Sequence, residues 1–129
     1  MKTKKLTIRQ VQKKLWEHCK RIIRDIYSRK DGTWICYTCN KQITSKNDAH
    51  TGHFIPKSVC GAYLKYDLRN LRIQCMSCNV WGGGMGAVYY KNMVEREGQA
   101  YVDQLFTDKQ KSVKAIDRYL QQLEEYSNM

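Results

Sequence analysis

The first long segment of the chain repeats apolar side chains with the period of an α-helix. Between residues 7 and 29 these side chains recur three or four positions apart, which places them on one face of a helix. Asp31 and Gly32 follow and favour a turn. The pattern therefore predicts a helix within residues 1–30, with lysine and arginine on its other face. The predicted apolar face consists of Leu15, Cys19, Ile22, Ile23 and Ile26.

The middle of the chain shows the shorter period of β-strands. Residues 50–55 predict one strand, which ends before Pro56 because proline has no N–H group for a sheet hydrogen bond. Residues 71–75 alternate apolar and polar side chains, a pattern typical of a strand with one buried face. Residues 57–70 between them are polar and predict a loop. We therefore expect two short strands in the centre of the chain.

The last third of the chain returns to the helical period. Residues 87–97 predict a helix that ends at Gly98, and residues 99–106 predict a second, shorter helix. Thr107 and Gln110 have the spacing of a capping box at the start of a third helix. The buried stripe predicted for that helix consists of Val113, Ile116, Leu120 and Leu123.

The order of these elements predicts an α+β fold, with strands in the centre and helices before and after them. At 129 residues the chain has the length of one domain. We expect a basic helix in residues 1–30, a core with the two strands in residues 34–97, and C-terminal helices in residues 98–129.

The charge of the chain is positive and unevenly distributed. The formal net charge is +11, and residues 1–30 contain 11 lysines and arginines against two acidic residues. Such a concentration indicates a nucleic-acid partner, although a solvated surface or an anionic membrane would also fit it. The predicted DNA-binding residues are Lys13, Lys14, Lys20, Arg21, Arg24, Arg69 and Arg72.

The sequence pattern contains no hydrophobic segment for membrane insertion or export. No apolar run approaches the length of a transmembrane helix, about 20 residues. The basic N-terminus lacks the apolar stretch of a signal peptide, because Arg9, Lys13 and Lys14 interrupt it. We therefore expect a cytoplasmic protein with no membrane partner, in reducing surroundings where cysteines do not form disulfides.

Four of the six cysteines form two Cys-x-x-Cys pairs. Each pair offers two thiolates from one tight turn, and two pairs complete a tetrahedral zinc site. Four protein ligands leave no open position for a substrate, so the predicted zinc is structural. A redox function of the pairs is disfavoured, because the chain lacks the βαβ pattern of thioredoxin-like proteins. The predicted zinc ligands are Cys36, Cys39, Cys75 and Cys78.

A histidine and two asparagines accompany the cysteine pairs in the order of the HNH nuclease motif. His53 lies on the first predicted strand, Asn70 precedes the second, and Asn79 directly follows the second cysteine pair. In such a site a neutral imidazole takes a proton from water, and a divalent cation stabilises the leaving oxygen. We predict His53 as the general base, Asn70 as a brace that orients it, and Asn79 as a ligand of Mg²⁺ or Mn²⁺.

Two features of this site stay open on the sequence alone. The second ligand of the catalytic cation would be His50 or Asp48. The short link from His50 to His53 favours His50, but it does not exclude Asp48. Asn79 fits a cap of the following backbone as well as it fits a metal ligand.

The run from Gly52 to Pro56, together with residues 67–79, resembles the NinG (Rap) family of recombination nucleases of lambdoid phages. The resemblance covers residues 34–106. It implies a ββα-metal core of the HNH type with a four-cysteine zinc knuckle, and a metal-dependent endonuclease that acts on branched recombination intermediates. It also implies that His53 is the base. Many HNH motifs have a metal ligand directly before the base, where this chain has Gly52.

The resemblance also implies partners and a location. The partner is DNA, a homodimer would supply one site for each of two strands, and a phage protein would act in the host cytoplasm. The competing hypothesis is a non-catalytic, zinc-dependent DNA-binding protein. That hypothesis explains the charge and the cysteines, but it does not explain why His53, Asn70 and Asn79 accompany them.

Overall fold

The computed structural model describes residues 5–129, so the first four residues of the predicted basic segment lie outside it. Within the described range the chain forms helices and short antiparallel strands, which confirms the α+β class. None of these helices combines the length and the apolar composition that crossing a lipid bilayer requires. The elements are α1 (Ile8–Tyr27), β1 (Trp34–Ile35), β2 (Gln42–Ile43), β3 (His50–His53), α2 (Gly61–Leu64), β4 (Leu71–Gln74), α3 (Gly86–Glu97), α4 (Gln99–Asp108) and α5 (Ala115–Ser127).

The predicted first helix is confirmed as α1, and its start is fixed by a capping box. Thr7 Oγ1 accepts from Gln10 N at 3.2 Å, and Gln10 Oε1 accepts from Thr7 N at 2.9 Å. The prediction of Ile26 as a buried residue is wrong. Ile26 has the helical phase of the buried face but is 56% exposed, so the elements that cover α1 end before its last turn. That buried face consists of Val11, Leu15, Cys19, Ile22 and Ile23.

Both predicted central strands form, and they pair antiparallel with His50 opposite Gln74 and His53 opposite Leu71. The prediction that the second strand has one exposed face is wrong, because all four residues of β4 are buried. Leu71 and Ile73 join the apolar core with α1. Gln74 lies on the other face and is held by hydrogen bonds from its Nε2 to Thr38 Oγ1 at 3.2 Å and to the Gly84 carbonyl at 2.9 Å.

The first cysteine pair lies in a hairpin that the hydrophobic pattern did not predict. Strands β1 and β2 contain two residues each, which is too short for a recognisable alternation. The turn between them is attached to the central strands, because Tyr37 N donates to the Ile73 carbonyl at 2.9 Å. The hairpin therefore brings the first cysteine pair to the end of β4, where the second pair begins.

The C-terminal helices form, but the predicted start and stripe of the last one are wrong. Thr107 stays within α4 and donates to the Asp103 carbonyl at 3.1 Å, instead of capping α5. Val113 and Leu120 are exposed, while Ile116 and Leu123 are partly buried against the core. Helix α5 packs along α1, and its buried residues are Tyr119, Gln122 and Tyr126.

The segment between the central strands is more ordered than a polar loop. It contains the short helix α2 and a 3-10 turn at Leu68–Asn70. Leu64 and Tyr66 are buried in it. The segment therefore forms a fixed wall beside the end of β3, where His53 lies.

Candidate functional site

The four cysteines of the two pairs come together at one point. Their Sγ atoms all lie within 4.8 Å of one another, and the Sγ atoms of Cys39 and Cys75 are 3.8 Å apart. A tetrahedral zinc site with Zn–S distances of about 2.3 Å has sulfur–sulfur edges of about 3.8 Å. The cluster can therefore hold a structural metal such as zinc. Its members are Cys36, Cys39, Cys75 and Cys78.

The ionisation of these thiols also fits a cation. Burial opposes the thiolate of Cys36, but hydrogen bonds from the Thr38 hydroxyl and from backbone N–H groups lower its pKa to about 6. Burial, together with the neighbouring Cys75 and Cys39 thiols, raises the pKa of Cys78 to about 12. Thiolates confined this closely repel one another, and a bound divalent metal offsets that repulsion.

His53 lies at the end of β3 and lines a cavity of about 540 Å³. Its ring stacks on the indole of Trp16 from α1, with centroids 5.3 Å apart and planes 12° apart. Its Nε2 lies 2.8 Å from the backbone carbonyl oxygen of Lys65. These two contacts fix both the plane and the rotation of the imidazole.

The surroundings of His53 keep its ring neutral. Burial lowers the pKa of His53 below its ordinary value, and the charges of Lys57 and Lys65 lower it further. The hydrogen bond to the Lys65 carbonyl acts in the opposite direction without reversing the shift. At neutral pH the imidazole therefore has a nitrogen lone pair that can accept a proton.

Asn70 is fully buried and braces the backbone that follows His53. Its Oδ1 accepts from Ile55 N at 2.8 Å, and its Nδ2 donates to the Ile55 carbonyl at 3.0 Å. Its own carbonyl accepts from Phe54 N at 2.8 Å. Three hydrogen bonds thus join Asn70 to the two residues after His53, in the arrangement that a positioning residue needs.

Asn79 connects the cysteine cluster with the cavity of His53. It lines that cavity, and its amide Nδ2 lies 3.2 Å from Nδ1 of His50. Residues three apart on a strand point to opposite faces, so His50 and His53 do not share a face of β3. Asn79 is therefore the side chain that contacts His50 and also borders the space in front of His53.

Asp48, the alternative to His50, is engaged elsewhere. Its Oδ1 accepts from Met76 N at 2.8 Å, and its Oδ2 pairs with Lys41 Nζ at 3.0 Å. These two partners hold the pKa of the Asp48 carboxyl below its ordinary value. Asp48 thus fastens the turn of the second cysteine pair, and His50 is the residue that meets Asn79.

Gly52 lies directly before His53, and the packing explains why this residue is a glycine. A Cβ atom at this position would overlap the side-chain amide of Gln74. Gln74 is fully buried and held by two hydrogen bonds, so it cannot move away at low cost. This fold therefore excludes a side chain directly before His53.

A comparison with known families gives a match that covers the whole chain. The profile described as Bacteriophage Lambda NinG protein matches residues 1–129. The chain belongs to the NinG family. This confirms that the chain resembles the NinG family, and it extends the match to the N-terminal and last helices. No curated protein and no solved structure gave a significant match.

In this NinG-family chain, one residue of the predicted DNA-binding set must be withdrawn. Arg72 is only 3% exposed, because β4 is buried on both faces. Its guanidinium donates to the Leu71 carbonyl at 2.7 Å and to the Tyr101 hydroxyl at 3.2 Å. It also lies over the rings of Tyr27 and Tyr37. Arg72 therefore stabilises the interior and offers no surface to a phosphate.

The other basic residues predicted to bind DNA differ in whether their side chains are exposed or already bonded to other residues of the NinG-family chain. Lys13 and Lys14 are exposed on α1, and Lys13 also lines the cavity of His53. Arg69 is paired with Asp67 and with Asp108 at 2.8 and 2.9 Å, which offsets its charge. The remaining three have local contacts: Lys20 with Glu17, Arg21 with the carbonyls of Tyr126 and Met129, and Arg24 with the Ala49 carbonyl.

Three residues beside His53 were not predicted from the sequence. Lys57 and Lys65 line the cavity from the segment after β3, and Trp16 lines it from α1. The two lysines follow His53 within 12 residues, a proximity that could have drawn attention to them. The position of Trp16 depends on how α1 packs, and no local pattern carries that information.

Proposed function

We propose that this NinG-family protein is a metal-dependent DNA endonuclease with an HNH-type ββα-metal core and a structural zinc on its four cysteines. Strands β3 and β4, the turn with Asn79 and helix α3 follow one another in the order of such a core. The observation that carries the proposal is the hydrogen bond between His53 and the Lys65 carbonyl, inside a cavity that Asn79 also lines.

That hydrogen bond determines which nitrogen of His53 acts as the base. A carbonyl oxygen only accepts, so Nε2 must carry the hydrogen in this contact. In the neutral ring the lone pair then lies on Nδ1. We infer that Nδ1 takes the proton of the attacking water, while Asn70 and the stack on Trp16 hold the ring in place.

His50 and Asn79 are the ligands we propose for the catalytic cation. An amide oxygen suits both Mg²⁺ and Mn²⁺, whereas an imidazole nitrogen suits transition-metal cations better than Mg²⁺. Asn79 now directs its Nδ2 to His50, and rotation of the amide by half a turn presents its Oδ1. When bound, the cation neutralises charge on the phosphate and stabilises the leaving 3′ oxygen.

The charges around the cavity support a phosphodiester substrate. Lys13, Lys57 and Lys65 line it, and no aspartate or glutamate does among the residues that the structure describes. Cationic side chains attract the backbone phosphate that would enter in front of His53. DNA rather than RNA, and branched rather than linear DNA, follow from the family resemblance.

A cleavage assay tests the proposal against the non-catalytic alternative. Purified protein is incubated with plasmid DNA and with labelled branched and linear duplexes, with and without Mg²⁺ or Mn²⁺. We expect products with 5′-phosphate and 3′-hydroxyl ends only when the cation is present, because water attacks phosphorus and the 3′ oxygen departs. DNA that is bound but stays intact with either cation would instead support the non-catalytic DNA-binding protein.

The contribution of α1 to binding gives a separate prediction. Replacing both Lys13 and Lys14 with glutamine should reduce the slope of log affinity against log salt by up to about 1.8, or about 0.9 per lost phosphate contact. Substitution is preferable to truncation, because removing the start of α1 would also remove the buried Val11. Fluorescence anisotropy with labelled DNA at several salt concentrations measures the slope.

A matched pair of exposed lysines controls for the lower net charge. Lys91 on α3 and Lys114 before α5 are both exposed and do not line the cavity. Replacing them with glutamine should leave the slope nearly unchanged. An equal reduction in both double variants would show that α1 has no special part in binding.

A further inference from the structure

An apolar tip projects from the turn after the second cysteine pair. It consists of Met76, Val80 and Trp81, which are 46%, 53% and 79% exposed. Trp81 is the most exposed of the large hydrophobic side chains in residues 5–129. Tryptophan usually buries most of its large surface, so an indole left in solvent indicates a surface that packs on a partner.

The backbone holds this tip in place. Ser77–Trp81 forms a π-helical turn, and Gly82 N donates to the Ser77 carbonyl at 2.7 Å. Gly84 N donates to the Cys78 carbonyl at 2.9 Å, and the Gly84 carbonyl accepts from Gln74. The turn is therefore closed on itself and attached to the buried strand β4, so Trp81 is presented from a fixed base.

The tip also adjoins the cavity of His53. Asn79, two residues before Trp81, lines that cavity, and so do Gly83 and Gly84 on the other side. The same cavity contains the lysines that attract a phosphate backbone. A strand whose phosphate lies in front of His53 therefore has its neighbouring nucleotides close to the turn that carries Trp81.

The chemistry around Trp81 favours a nucleic acid as the partner of the tip. An exposed indole beside a basic cavity, on a chain of net charge +11, matches the flat faces of nucleobases joined by anionic phosphates. In a regular duplex both faces of each base are covered by stacking. Inserting an indole between paired bases costs unstacking energy, so it reaches a base face most readily where the stack is already interrupted, at an unpaired end, a fork or a branch point.

We propose that Trp81 is a stacking platform for an unstacked nucleobase of the DNA whose backbone enters the His53 cavity. This inference rests on the proposed function, because it takes DNA as the partner of that cavity. According to this proposal, Trp81 causes the protein to prefer branched or forked DNA over continuous duplex. Val80 and Met76 extend the apolar surface beside the indole.

Binding measured without a divalent cation tests the platform independently of cleavage. Fluorescence anisotropy compares a forked DNA and a blunt duplex of equal length, with the wild type, Trp81→Ala, Trp81→Phe and Leu120→Ala. We expect Trp81→Ala to weaken fork binding by about 5- to 100-fold and duplex binding by less than about twofold. Trp81→Phe should retain most of the affinity, and Leu120→Ala, on the exposed side of α5, should behave as wild type.

The outcomes separate the platform from the other proposals. Equal losses on fork and duplex, or no loss on the fork, would overturn it. A change from dimer to monomer in sedimentation of Trp81→Ala would also overturn it, because the indole would then pack on a second copy. A fork-selective loss in a protein that never cleaves DNA would support the platform and count against the catalytic proposal alone.

Discussion

Replacing His53 with alanine should lower the rate of DNA cleavage by about 10²–10⁴-fold, the usual loss when a general base is removed. DNA affinity and zinc content should stay near those of the wild type, since the cysteine cluster does not include His53. The ring has one backbone hydrogen bond and one aromatic stack, so its removal leaves the paired strands intact. Single-turnover kinetics with excess enzyme measure the rate of the chemical step.

The pH dependence of that rate provides a second readout of the same base. In the proposed mechanism the neutral imidazole is the active form, so the rate should fall as the ring gains a proton at low pH. Burial beside Lys57 and Lys65 lowers the pKa of His53, so the wild-type rate should already be at its plateau at pH 7. The midpoint of the fall should lie below the ordinary histidine value of about 6.5.

The variant Asn79→Ala distinguishes the base from a metal ligand. Loss of a ligand should raise the Mg²⁺ or Mn²⁺ concentration needed for half-maximal rate, and excess cation should restore part of the activity. His53→Ala should not recover at any cation concentration. A His53→Ala protein that cuts at the wild-type rate would remove His53 from the mechanism, and the base would have to be another residue.

The elements in which an apolar pattern repeats over several residues could be predicted from the sequence. Helix α1 follows from its apolar spacing, and the pairing of β3 with β4 fits the pattern around His53. The two-residue strands of the first hairpin could not be predicted, because two positions show no period. The stripe of α5 was misplaced because aliphatic residues were taken as its core, whereas Tyr119 and Tyr126 are the buried aromatic residues.

The candidate site could also be predicted only in part from the sequence. The residue types and spacings identified the cysteine cluster, His53, Asn70 and Asn79 as a group, and the structure brings them to neighbouring positions. The spacing of residues along the chain could not predict contacts that the backbone or distant elements make with these side chains. The Lys65 carbonyl that fixes the tautomer of His53 is one example.

Arg72 shows why charge alone misleads. The alternation of apolar and polar residues in the strand predicted that its side chain faces solvent. In the structure, tyrosines from α3 and α4 cover that face. Tyr89 from α3 and Tyr101 from α4 lie there, and Tyr101 accepts a hydrogen bond from Arg72. A polar residue in a strand is therefore evidence of an exposed face only when nothing later in the chain packs over it.

Replacing Cys36 with serine should remove the zinc and most of the stability of the fold. Cys36 is fully buried at the contact of the two cysteine turns, and a serine hydroxyl is a poor ligand for zinc. Structural zinc contributes about 10–16 kcal/mol in small zinc-binding peptides, whereas a whole domain is stable by about 5–15 kcal/mol. Elemental analysis should find one zinc per wild-type chain and almost none in Cys36→Ser, whose cooperative thermal transition should be lost.

Cys60 offers a matched control for the loss of a buried thiol. It is also fully buried, and its Sγ contacts the Lys57 carbonyl at 3.7 Å, outside the four-cysteine cluster. Cys60→Ser should therefore keep its zinc and lower the stability only by the modest cost of a buried hydroxyl, about 1–3 kcal/mol. If Cys36→Ser kept one zinc per chain and melted like Cys60→Ser, the cluster would not be a structural metal site. The two turns would then be held together by the backbone hydrogen bond from Tyr37 to Ile73 and by the apolar core alone.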